Sequence, residues 1–132
     1  MKSKINRNFF HSYLELEEAL NRLLGVERGG VSAYIDALDS LSSQDASEIR
    51  RRLVRYRRIR NRLAHEADAF GTISEISPND VKWLASFKRL AATKKDPLSL
   101  NRDRKLLPII AFAVTAACTA LFLCLIYFIL KK

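Results

Sequence analysis

The chain has 132 residues, 48% of them hydrophobic and 28% charged, with a formal net charge of +9. Its two cysteines, Cys118 and Cys124, both lie inside an uncharged stretch. This excludes a disulfide framework and a Cys/His metal cluster, and it fits a reducing cytosol. No metal and no cofactor is expected. Glycine and proline are scarce and the hydrophobic spacing is near 3.6, which predicts an all-α chain: a four-helix up-down bundle plus one C-terminal transmembrane helix.

The segment Met1-Lys2-Ser3-Lys4-Ile5-Asn6-Arg7 leads into an amphipathic stretch rather than a signal peptide. The first helix is predicted from near Asn8 to Leu24, with Phe9, Tyr13, Leu16, Leu20 and Leu23 on one face and Gly25 as its stop. Gly29-Gly30 breaks the chain. A second helix carries Val31, Tyr34, Ile35, Leu38 and Leu41, and Ser42-Ser43-Gln44 forms a short loop. Asp45, with Glu48 three residues later, marks the start of the third helix, and Gly71 marks its end. Ser77-Pro78-Asn79-Asp80 is a start signal for the fourth, with Ser77 as N-cap and Pro78 in the first turn. That helix presents Val81, Leu84, Phe87, Leu90 and Ala91, and Pro97 prevents its continuation.

Three segments follow: a bundle over residues 1–95, a polar linker over 96–105 and a transmembrane helix over 106–130. From Pro108 to Leu130 the helix would be about 35 Å long, enough to cross a hydrocarbon core of about 30 Å with some tilt. Lys88, Arg89, Lys94, Lys95, Arg102, Arg104 and Lys105 precede it and outnumber Lys131 and Lys132 after it. The positive-inside rule therefore places the bundle in the cytoplasm, as in a tail-anchored single-pass membrane protein. Ala113 with Ala117, and Ala116 with Ala120, are small pairs that would allow two spans to pack closely.

The third helix holds the densest charge, with eight arginines between Arg50 and Arg62. Ile49, Leu53, Tyr56, Leu63, Ala67 and Phe70 form an apolar stripe with a gap at Arg60. An arginine on a core stripe must find a partner, reach solvent or serve a site. Arg51, Arg55, Arg58 and Arg62 are candidates for binding phosphates of RNA or anionic lipid headgroups. The competing reading is a solvated face paired with acids such as Glu15, Glu17 and Glu18. Few aromatics interleave with these arginines, so base stacking is not indicated.

Arg60-Asn61-Arg62-Leu63-Ala64-His65 resembles the R-x(4–6)-H signature of the HEPN superfamily, and the order of the surrounding helices is also similar. The resemblance covers at most Met1 to Lys95. It implies a compact helical bundle, often a homodimer, and in many members a metal-independent RNase. Under that implication His65 acts as general acid or base, Arg60 neutralises the phosphate and Asn61 orients either group. Some relatives follow the histidine with one residue and then a tyrosine; here Glu66 and Ala67 follow, so no role can rest on that tyrosine. Residues five apart on a helix diverge by roughly 140°. Arg58, Asn61 and His65 share a face, and Arg58 also satisfies the loose signature. His65 reads equally as a polar residue near a helix end, where an imidazolium is favoured. Two function classes follow: a membrane-anchored interaction module of HEPN-like fold, or a HEPN-type endoribonuclease. The bilayer is the expected partner of residues 106–130.

Overall fold

The computed structural model describes residues 2–66 and 68–130, without the side chains of residues 128 and 130. Ala67, expected on the third helix's stripe, and Lys131 and Lys132, counted after the span, lie outside the described residues. The chain is all-α: α1 (Lys2–Leu24), α2 (Gly30–Leu38), α3 (Gln44–His65), α4 (Ala69–Thr72), α5 (Pro78–Ala92) and α6 (Pro97–Leu130). It divides into two units, residues 1–98 and 99–132.

The first unit is a helical bundle in which α1 packs against α5 and α2, and also against α4 and α3. The apolar positions at steps of three and four dictate this. Phe9, Leu16 and Leu20 of α1, Val31 and Tyr34 of α2, Leu53 and Tyr56 of α3, and Leu84 of α5 are wholly buried. Aromatic rings join the helices: Phe9 meets Tyr56 edge-on at 5.3 Å, Tyr56 meets Trp83 edge-on at 5.5 Å, and Phe87 meets Tyr34 edge-on at 5.6 Å. Gly25, in the left-handed region at φ 68°, follows the end of α1. Gly30 has a different task. A Cβ there would sit 2.6 Å from the Asn21 backbone nitrogen, and the Gly30 N–H donates to Asn21 Oδ1 at 2.7 Å, so only glycine allows this approach of α2 to α1.

Several boundaries differ from the sequence expectation, each for a local reason. α1 begins at Lys2 rather than near Asn8, and its first turns are docked: Asn6 is buried and donates to the Phe70 and Ile73 carbonyls at 2.9 and 2.8 Å. α2 ends at Leu38, although Leu41 still packs against the core. Ser43, not Asp45, caps α3, its hydroxyl accepting from the Ala46 N–H at 3.1 Å. α3 stops at His65 instead of reaching Gly71; Glu66 is extended and Asp68 adopts a left-handed φ of 62°. Ser77 and Asp80 form the full capping box of α5. Leu90 of α5, expected inward, is 40% exposed.

The largest difference concerns residues 96–105. Instead of a polar linker, helix begins at Pro97 and runs on to Leu130. Proline is tolerated in a first helical turn, and the arginines and lysine that follow are good helix formers. Asp96 is buried and accepts a hydrogen bond from the Tyr34 hydroxyl at 2.9 Å.

In the second unit the large apolar side chains from Leu106 to Tyr127, and that of Ile129, are exposed, Phe112 by 76%. By length and composition one helix among the described residues can cross a membrane; its most apolar window has a mean hydropathy of 2.6 and nothing in it is buried. Thr115 and Thr119 turn their hydroxyls back onto the carbonyls of Ala111, Phe112 and Ala116, which satisfies both hydroxyls within the helix.

Candidate anion-binding face

The helix α3 is stabilised at both ends by charge. Asp45 lies in its first turn, and Arg62 and His65 lie in its last, where the exposed carbonyls favour cations. Its buried seam is Ala46, Leu53, Tyr56, Ile59 and Leu63. Ile59 closes the gap that the sequence pattern placed at Arg60. Steps of three from Leu53 through Tyr56 to Ile59, then four to Leu63, keep the seam on one side, and Arg60 falls beside it.

Arg60 is half-buried. Its guanidinium lies 6.0 Å from the centre of the Tyr13 ring, and Nη1 donates to Asn61 Oδ1 at 3.2 Å. Its Nε is buried without a partner among the described residues. A cleft of about 290 Å³ beside it is lined by Leu14, Glu17, Glu18, Asn21, Arg28 and Gly29. Burial, and then Glu17, push the Tyr13 hydroxyl well above the ordinary tyrosine range, against the pull of Arg60 and Arg57. Asn61 and His65 are exposed and do not line this cleft. Arg60 and Asn61 thus share a hydrogen bond, whereas His65 lies one turn beyond Asn61 on the exposed face, outside the Arg60 cleft.

The four candidate anion-binding arginines follow spacings of four, three and four along the outer face. Two are engaged. Arg55 donates to the Glu75 carbonyl at 2.6 Å and lies 3.6 Å from Asp80. Arg62 pairs with Glu66 at 3.2 Å and Glu75 at 3.0 Å; the hydrogen bonds to these two carboxylates hold its pKa above the ordinary value. The other two, Arg51 and Arg58, are exposed and have no partner among the described residues. Around them Arg52 pairs with Glu48 and lies 5.0 Å above the Trp83 ring, Arg50 pairs with Asp39, and Arg57 donates to Ser32 at 3.1 Å. An open notch of about 210 Å³ lies among Glu48, Arg51, Arg52 and Arg55.

The acids that neutralise α3 are not the expected ones. Glu15 pairs with Lys88 at 2.7 Å and Glu18 with Arg22 at 3.4 Å. Asp39, Glu48, Glu66, Glu75 and Asp80 serve the arginines instead. Asp80 has the most demanding role, since it accepts from Tyr56 at 2.7 Å and from the Ser77 N–H and hydroxyl at 2.8 Å each. Burial acts to raise its pKa, but the Ser77 and Tyr56 hydrogen bonds and the Arg55 charge bring it below the ordinary carboxylate value. The capping signal at Ser77 was visible in the sequence; that the same carboxylate also ties α5 to α3 was not.

Residues 7–115 match the model of a family described as "Family of unknown function (DUF6548)". No curated protein and no solved structure matches the chain.

Proposed function

Because the chain belongs to this family of unknown function, kinship supplies no activity, and we propose from its own features that it is a membrane-anchored helical interaction module of HEPN-like fold, with the bundle on the cytoplasmic side. The observation that carries the reading is the division of labour between the units. The bundle closes its own core, while α6 offers apolar side chains on every side and buries none of its most apolar window. Water does not tolerate such a surface, and a bilayer does. The excess of basic residues before the span supports the cytoplasmic side. On the bundle, the cleft that Arg60 lines holds neither Asn61 nor His65, so the three do not share that cleft.

Incubation of the purified full chain with RNA, beside a His65→Ala control, tests the reading. The module produces no cleavage above that control. Cleavage lost in both His65→Ala and Arg60→Ala, with melting temperatures unchanged, would replace it with the endoribonuclease that the Arg60–His65 signature implies; each loss would then be about 10²–10⁴-fold. Orientation has its own test. Protease added to sealed right-side-out vesicles leaves a cytoplasmic bundle intact, and its digestion from outside would reverse the assignment.

A further inference from the structure

We propose that the outer face of α3 docks the bundle onto a bilayer surface containing anionic lipid, with Arg51 and Arg58 as the residues that meet the headgroups. The proposal rests on the reading that α6 spans a bilayer. Arg51, Arg55, Arg58 and Arg62 form one stripe about 16 Å long at 1.5 Å per residue. Arg55 and Arg62 spend their charge on Glu75, Asp80 and Glu66 and so fix the stripe to the segment before α5. Arg51 and Arg58, seven residues and about 10 Å apart, keep theirs for an outside partner. Two guanidiniums that no acid of the described chain neutralises, on an exposed face, are available to an outside anion.

Three observations select a lipid surface among anionic partners. The stripe is an outward helix face, and the notch beside Arg51 is small and open, which suits a broad charged surface better than an enclosed peptide or nucleotide. The aromatic groups nearest to it are committed: Tyr56 is buried and Trp83 is stacked on Phe87 with Arg52 above it, which leaves no free ring on which bases could stack. Covalent connection then favours lipid. Residues 99–105 reach at most about 25 Å even when fully extended, so in any orientation headgroups are the anions at highest effective concentration. The contact is electrostatic and does not insert, because Leu53, Tyr56, Ile59 and Leu63 are already used by the core.

The test uses the full chain reconstituted in vesicles and the native reporter Trp83, the only tryptophan. Energy transfer from Trp83 to dansyl-labelled headgroups measures approach of the α3 face to the bilayer. Transfer should rise when about a third of a phosphatidylcholine vesicle is replaced by phosphatidylserine. It should fall back at about 1 M salt, where the screening length shrinks to about 3 Å. Arg51→Gln and Arg58→Gln should each lower the docked-to-undocked ratio about fivefold, whereas Arg7→Gln, an exposed α1 arginine, should leave it unchanged. Equal transfer on neutral and anionic vesicles overturns the proposal, as does a response indifferent to Arg51 and Arg58. An Arg51-dependent response to polyuridylate without one to phosphatidylserine overturns it in favour of nucleic acid. Failure of the chain to float with neutral vesicles is a different result, which removes the anchoring reading itself.

Discussion

α3 and α6 are built on opposite rules. α3 has a narrow apolar seam that is almost wholly buried and an arginine-rich remainder facing water. α6 from Leu106 to Tyr127 has no seam: its apolar residues face every direction and remain exposed. A seam means that a helix must choose a side, because one medium is protein and the other is water. A helix without one has a single medium all round. Under the proposed function that single medium is lipid for α6, whereas the bundle folds by burial.

The largest expected effects strike these two media directly. Leu63→Ala, at a site 3% exposed on the α3 seam, should destabilise the bundle by about 2–5 kcal/mol in the full chain held in mild detergent. A loss below about 0.5 kcal/mol would show that α3 does not bury this stripe. Val114→Arg makes the converse change in α6. It should cost about 2.5–3.5 kcal/mol in membrane insertion while leaving the melting of the bundle unchanged. If it lowers the melting temperature instead, the two helices share one medium and the contrast fails.

A smaller effect sharpens the α3 side. Ser77→Ala removes the hydroxyl of the capping box and should cost about 1 kcal/mol. Asp80, whose folded pKa is depressed, adds stability that is present above its unfolded value of about 3.9 and is lost as pH falls through the lower folded value. Asp80→Asn should therefore lose stability near neutrality and show a flatter acid limb; an acid limb as steep as the parent's would place the titration elsewhere. The smallest effect is Leu90→Ala. This 40% exposed position, apolar in sequence but outside the core, should change stability by less than about 0.5 kcal/mol.

The same contrast explains how much the sequence revealed. In α1 and α2 periodicity found the seam: Phe9, Tyr13, Leu16 and Leu20, then Val31, Tyr34, Ile35 and Leu38, lie on their buried faces. Where two readings of the period competed, it misled. Ile59 and Arg60 are neighbours, and only packing decides which of them enters the core. Residues 97–105 looked like linker because charge and proline suggest a break, yet Pro97 begins a helix whose continuation is a matter of local propensity. The ion pairs that tie α3 to other segments could not be read from spacing. Glu75 and Asp80 meet Arg55 and Arg62 only after the chain has reversed through α4. Of the Arg60, Asn61 and His65 group, sequence spacing placed all three on one helix; the helix itself brings Arg60 and Asn61 into contact and leaves His65 exposed.

The central claim, that α6 has lipid for its solvent while the bundle stands in water, is tested most directly by alkaline carbonate extraction of membranes carrying the full chain. The account predicts that the chain stays entirely with the membrane pellet and is released only by detergent. Recovery of the intact, folded chain in the alkaline supernatant would contradict it.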